Sequence, residues 1–365
     1  MEKKLSICVA VYNISEDYLR QCIESIIKDK SPDIQIILGD DCSENGSGEI
    51  CGEYAKNDSR ILYIRQEKNG GVSRLRNKML DSASGEYIGF IDGDDVVSGY
   101  CIQAMKTAAD TGFDIVMFEW QTFEKNVPKS KLNGSKVKKL PNEAGKRFSG
   151  ACLTGASPGI EAYGIKASTP SSVCNKIYKR EFINQNNLRF RDGLKKSQDV
   201  EFNTNAFSKC KMVGYLEETL YFYRKNQTSV CNRYSGDIRS TIKSCMDYDM
   251  ENLKNLFNGD KKYMDLWRRY KLIHFLTVIF SLDIFHPDNP KSKSERKKDF
   301  LEVVDSRLYR DFFESFDFEA YGWNERKLIL KLASRRKFAL LDFMYKYPIS
   351  FKIYGHIKKI IKIKQ

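Results

Sequence analysis

The 365-residue sequence predicts an α/β fold, a doubly wound and mostly parallel sheet with a helical carboxy-terminal appendage. Three observations carry the prediction. Short β-branched runs alternate with helical patterns in the first half, and parallel neighbours need a helical crossover between them. Polar clusters follow the strand ends at Tyr12-Asn13, Asp40-Asp41, Asn69-Gly70-Gly71 and Asp92-Gly93-Asp94-Asp95. Beyond about Ser235 the strand signals fade, and helical patterns rich in Lys, Arg, Phe and Tyr continue to Gln365. The expected division is therefore a domain at 1–234 and a basic helical region at 235–365.

Each element has its own signal. Residues 5–11 (LSICVAV) read as a strand that stops at Tyr12-Asn13. The next segment places Leu19, Cys22, Ile23, Ile26 and Ile27 at the i, i+3, i+4, i+7, i+8 spacing of one helical face, so it should cover a sheet. A strand at 34–39, a helix through Asn57, a strand at 61–65, a helix ending near Ser84 and a strand at 87–91 follow. In such sheets ligands bind beyond the carboxyl ends of the strands, so the polar clusters should converge on one edge. Residues 125–150 are rich in lysine and punctuated by Gly and Pro, and are expected to form a solvated loop or flap.

Composition narrows the class. A formal charge of +13 suits an anionic partner: a nucleic acid, an acidic membrane surface or a phosphorylated substrate. No recognisable RNA- or DNA-binding motif accompanies the basic excess, so nucleic acid is not an expected partner. The ten cysteines include no CxxC pair and read as reduced thiols. The amino terminus makes a poor signal peptide, and the longest apolar stretch, residues 272–285, is too short for a bilayer span and contains His274 and Asp283. The expectation is a cytoplasmic protein, soluble or peripheral at the inner face of the membrane.

The stretch EYIGFIDGDD ends an apolar run in three carboxylates within four residues. Such crowding calls for a countercharge, and oxygen ligands favour a hard cation such as Mg2+ or Mn2+ that can also hold a diphosphate. A solvated acidic loop is the bland alternative. In IILGDDCSENGS a carboxylate could accept from a base N–H or a ribose hydroxyl, or serve in an Asx turn or helix cap. In NGGVSRLRN the paired glycines permit close backbone approach, and Arg74 and Arg76 can neutralise phosphate or remain surface charges. Neither GxxxxGK[ST] nor GxGxxG occurs.

With SICVAVYN upstream and VCNKIYKREF, SQDVEFN and YFYRKNQTS downstream, these motifs resemble the family 2 glycosyltransferases of the GT-A fold, in order and approximate spacing over residues 4–230. The resemblance implies an inverting, metal-dependent hexosyltransferase. It would move a sugar from a nucleotide-sugar donor, with a UDP-sugar as first choice, to a hydroxyl of a glycan or lipid-linked acceptor in surface polysaccharide or glycolipid synthesis. Ala10, Tyr12 and Asp41 would surround the base and ribose, with Arg76 near the nucleotide. Asp94, assisted by Asp92 or Asp95, would form the Mn2+ or Mg2+ and diphosphate site, Arg224 would lie close to the diphosphate, and Asp199 would be the catalytic base. A helix cap is the alternative for Asp199. Gln198 departs from the family's usual glutamate, which bears on the acceptor.

The basic tail at 349–364 has the look of an interfacial helix on an anionic leaflet, of an ordinary packing helix, or of a homodimer contact. A non-catalytic nucleotide-sugar-binding module is the alternative function, and it would be favoured by loss of Asp94 or Asp199, both of which are present.

Overall fold

A computed structural model describes residues 3–129, 131–156, 163, 165, 170–194, 196–225, 233–318 and 325–347. The first seven elements are β1 (Leu5–Val11), α1 (Glu16–Ile27), β2 (Ile34–Asp40), α2 (Ser47–Asn57), β3 (Ile61–Arg65), α3 (Val72–Ser82) and β4 (Tyr87–Asp92). β1 is buried at every residue except Ala10, as expected of a strand covered on both faces. α1 turns Leu19, Cys22, Ile23 and Ile26 inward, while Ile27 at the margin of that face is half-buried.

The chain continues through β5 (Val96–Val97), α4 (Cys101–Ala109), β6 (Ile115–Phe123), β7 (Lys138–Lys139), α5 (Ala144–Thr154), β8 (Lys176–Lys179), α6 (Arg180–Gln185), α7 (Gln198–Lys209) and β9 (Val213–Arg224). All nine strands form one sheet in the order β3-β2-β1-β4-β8-β6-β9-β5, with β7 paired to β9. The β1–β2, β1–β4, β2–β3 and β6–β9 pairs are parallel. β8 enters antiparallel between β4 and β6, and β5 and β7 pair antiparallel with β9, which makes the sheet mixed. Register fixes the functional edge: Ala10 lies beside both Gly39 and Asp92, and Asp40 beside Arg65. The polar clusters that end β1, β2 and β4 therefore share one edge of the sheet.

The expectation of a solvated loop at 125–150 needs correction. Its first part is tied down, since the Glu218 carboxylate accepts from the backbone N–H groups of Asn133 and Ser135. Its second part opens α5, which buries Ala144, Phe148, Ala151 and Cys152 at helical spacing. The lysines that dominate the composition sit on the outside of these elements and masked that apolar face.

The chain divides into two compact units, one of residues 1–153 and 157–226, the other of 154–156 and 227–365. The second contains α8 (Ile238–Phe257), α9 (Lys261–Trp267), α10 (Ile273–Ile279), α11 (Lys293–Val304), α12 (Arg307–Ser315), α13 (Glu325–Ser334) and α14 (Phe338–Lys346). Single π-helical turns at Arg268–Leu272 and Phe280–Ile284 flank α10. The apolar stretch at 272–285 forms core here: Phe280, Phe285, Phe300 and Phe338 pack edge-on or tilted against one another at centroid distances of 5.3–5.9 Å. Among the described residues, no helix is long and apolar enough to cross a membrane. The basic tail lies outside the described residues, apart from the α14 end that precedes it.

Candidate active site

The site is built on the edge where β1 and β4 end. Gly93 lets the chain turn tightly there: its N–H donates to the Ala10 carbonyl at 2.9 Å, and an added Cβ would come within 2.9 Å of that same oxygen. Asp92 ends β4, and Asp94 and Asp95 follow in the turn.

The three carboxylates of this cluster have separate surroundings. Asp95 is fully buried and holds structure: the Tyr221 hydroxyl donates to its Oδ2, and the Arg224 backbone N–H donates to its Oδ1 at 2.7 Å. Burial first, then Asp92 and Asp94, push its carboxyl up to about 8, against the pull of Tyr221. Asp94 is half-buried, and burial with the nearby Asp92 pushes its carboxyl up to about 6. Asp92 keeps 37% of its side chain exposed.

Arg76, on α3, is the central cation. Its guanidinium is buried and bridges Asp92 Oδ1 at 2.9 Å and Asp199 Oδ1 at 2.5 Å, with the Phe190 ring 5.3 Å from its charge centre. Burial opposes the charge on Arg76, but Asp199 and Asp92 outweigh it and leave the group more basic than usual. The Arg76 guanidinium thus ties β4 to α7 through a partner 123 positions away in sequence.

Asp199 occupies the first turn of α7, behind Ser197 at φ 64°. Its carboxylate does not turn back to cap that helix. Oδ1 accepts from Arg76, and among the described residues Oδ2 receives only a long contact of 3.4 Å from the Val173 N–H. Burial raises its affinity for protons, opposed by Arg76. Gln198 stands beside it with a buried Oε1 that has no hydrogen-bond donor among the described residues.

Arg224, at the end of β9, reaches back under the carboxylate turn. Its Nε donates to the Asp94 carbonyl at 2.7 Å, an Nη donates to Gln21 at 2.9 Å, and the Tyr18 and Phe123 rings lie 4.0 and 4.6 Å from its charge centre. On the other side, the buried Asp41 carboxylate accepts from the N–H groups of Gly70 and Gly71 at 2.7 and 2.8 Å and from Gln66. The glycine pair is thereby latched to the end of β2. Tyr12 is 37% exposed just beyond β1.

Asp92, Arg76 and Asp199 are therefore in direct contact, Asp94, Asp95 and Arg224 form an adjoining group, and Asp41 anchors the NGG loop. Sequence reading missed Tyr221, Gln21, Tyr18, Gln66 and Phe190. Tyr221 stands three residues before Arg224 in YFYR, but no local pattern says that its hydroxyl meets a carboxylate 126 positions away. The buried Lys176 was also missed. It donates to the Ser172 carbonyl and to Asn175 Oδ1, and burial lowers its ammonium to about 8.

The residues present suit a hard divalent ion shared with a ligand. No group of three or more His, Cys, Asp or Glu side chains able to hold a metal occurs among the described residues. Asp94 and the second oxygen of Asp92, whose first oxygen is paired with Arg76, offer two hard donors, the number with which Mg2+ commonly binds when phosphates complete its shell.

Residues 6–163 match the family model described as Glycosyl transferase family 2. The chain is 34% identical to the uncharacterized glycosyltransferase EpsJ of Bacillus subtilis (strain 168) over 230 residues, covering 62% of each protein. It is 24% identical to the cholesterol galactosyltransferase of Borreliella burgdorferi over 96% of each. The crystal structure of S. aureus TarS 1–349 in complex with UDP-GlcNAc has the same fold, with a TM-score of 0.58 at 19% identity, covering 94% of this chain and 91% of that one. The chain thus matches less than two thirds of the length of EpsJ.

Proposed function

We propose, from the premise that this chain belongs to glycosyltransferase family 2 through a GT-A-type domain, that it transfers a sugar from a nucleoside-diphosphate sugar to an acceptor hydroxyl with inversion at the anomeric carbon. The observation that carries the reading is the buried Arg76 spanning Asp92 and Asp199 next to Asp94. This array puts a carboxylate suited to accept a proton beside groups suited to hold a diphosphate. A binding-only module has no need of it.

In this reading Asp199 is the general base. Its Oδ1 is fixed by Arg76, which leaves Oδ2 to take the acceptor proton as the hydroxyl attacks, a contribution typically of about 100- to 10,000-fold. Burial makes Asp199 more basic than an exposed carboxylate, and Arg76 opposes that rise. Asp94 and Asp92 would hold Mn2+ or Mg2+, which when bound supplies positive charge to the departing diphosphate. Asp95 orients the turn through Tyr221 and Arg224. Arg76 and the Arg224 region add positive charge near the leaving group. Ala10, Tyr12 and Asp41 line the side where the base and ribose would lie, with Asp41 setting the NGG backbone.

UDP-sugars are the expected donors, a choice supported by the UDP-GlcNAc bound to TarS. The acceptor is taken to be a glycan or glycolipid at the inner face of the cell membrane, in surface polysaccharide synthesis. The resemblance to a transferase named for a sterol acceptor supports the lipid-linked variant. Calorimetric titration of UDP with and without Mn2+ tests the donor site. Mn2+ should tighten binding in the wild type, and Asp94→Ala should remove most of that gain with the fold intact. Equal affinities in the wild type under both conditions contradict the metal and diphosphate assignment.

A further inference from the structure

We infer that α14 and the start of α11 form a docking face for an anionic phospholipid leaflet, separate from the basic tail and independent of the sugar-transfer reading. α14 has more apolar surface than its own core uses. Phe338, Leu341 and Met344 are buried, yet Leu340, Phe343 and Tyr347, which fall on one stripe at i, i+3 and i+7, are 46%, 53% and 47% exposed. A helix apolar around most of its circumference calls for a second apolar surrounding.

Beside this stripe lies a cavity of about 650 Å³ whose lining includes Lys293, Lys297, Arg336, Lys337 and Leu340. Two helix amino-terminal ends meet at it, and no side chain caps that of α14. Of the acids nearby, Glu295 is held in the capping box at Ser292, and the others are matched by cations. Asp342 is paired with Arg296 at 2.6 Å and Lys293 at 3.6 Å, and Asp305 is paired with Arg336 at 2.6 Å. Among the described residues, neither Lys297 nor Lys337 has a carboxylate within ion-pair distance. Cations rimming an exposed apolar stripe are the arrangement of an interfacial helix on acidic lipid, where lysines sit at the phosphates and Leu, Phe and Tyr enter the boundary with the acyl chains. A second copy of this chain is a poorer occupant, because a two-fold contact on this face would set the same cations against each other.

The test uses the full chain with phosphatidylcholine vesicles, with and without phosphatidylglycerol. Lys293→Ala with Lys297→Ala should weaken partitioning onto the anionic vesicles by about 25-fold at low salt, about fivefold for each lysine. Leu340→Ser with Phe343→Ser should weaken it by at least about tenfold. Both pairs are exposed, and unchanged circular dichroism melting confirms the fold. Phe343→Trp should gain fluorescence quenching over the wild type on anionic vesicles with brominated acyl chains. Wild-type partitioning by both pair variants overturns the inference, as does vesicle-bound Phe343→Trp without added quenching. If removal of residues 350–365 abolishes binding while the α14 variants bind normally, attachment belongs to the tail alone. A wild-type dimer that Leu340→Ser with Phe343→Ser dissociates, with no vesicle binding, assigns the face to self-association instead.

Discussion

Arg76→Met removes the one cation that joins Asp92 to Asp199, and the structure sets the size of the effect. Breaking a buried ion pair by deleting one partner typically costs about 3–5 kcal/mol, because the remaining charge is stranded. Here the stranded carboxylates keep 37% and 26% of their side-chain surface exposed, so water screens part of the loss and the lower end of that range applies. Loss of the contact with the Phe190 ring adds about 0.5–1 kcal/mol. The expected total is about 3.5–4 kcal/mol, confined to the sheet unit. Two compact units need not unfold together, so the appropriate assay is native-state hydrogen exchange on peptides from β4 and α7. The double variant supplies the control. In the Arg76→Met background, Asp199→Asn should cost less than it does alone, or should stabilise, with a coupling of about 1–3 kcal/mol. Exchange free energies within about 0.5 kcal/mol of the wild type, or strictly additive variants, would refute the view that Arg76 is the countercharge of the site.

Other outcomes follow from the same surroundings. Tyr221→Phe leaves one oxygen of the buried Asp95 without its donor and should cost about 1–3 kcal/mol in urea unfolding of the sheet unit; a neutral effect would contradict a structural role for this hydrogen bond. Lys176 has its folded ammonium lowered to about 8 from 10.5, so the unfolded chain binds more protons between those values and this group makes stability rise with pH across that window. The rise is at most about 3 kcal/mol, and Lys176→Met should abolish it; an unchanged pH slope from 8 to 10.5 shows that Lys176 is not the source. Gln198→Ala should alter acceptor KM without mimicking the loss of a base, since Gln198 is neutral; a collapse of kcat at saturating acceptor would contradict this.

Much of the sheet unit was legible because its signals are local. β1 and β3 fall on the residues their apolar runs mark, and the inward face of α1 is the one its spacing gives. Convergence of Asp92, Asp41 and Arg76 on one edge follows from parallel topology, since every parallel strand of this part ends on the same side. The later strands were harder. β8 is four residues long and β5 and β7 two each, too short for a periodic signal, and it is these three that turn the sheet mixed. α5 was hidden by flanking lysines. At the site, the distinct surroundings of Asp92, Asp94 and Asp95 could not be read from IDGDD. They depend on where Tyr221 and Arg224 return on β9, a long-range fact set by strand order.

The central claim is that Asp199 takes the acceptor proton during sugar transfer, and single-turnover transfer by Asp199→Asn tests it most directly. The substitution keeps the size of the side chain and removes the proton-accepting charge. With a UDP-sugar donor found in a screen for metal-dependent turnover, and with donor and acceptor saturating, donor affinity should change little while the transfer rate falls by at least about 100-fold. Near-normal transfer by Asp199→Asn, with chemistry shown to limit the rate, would contradict the account and place the base elsewhere.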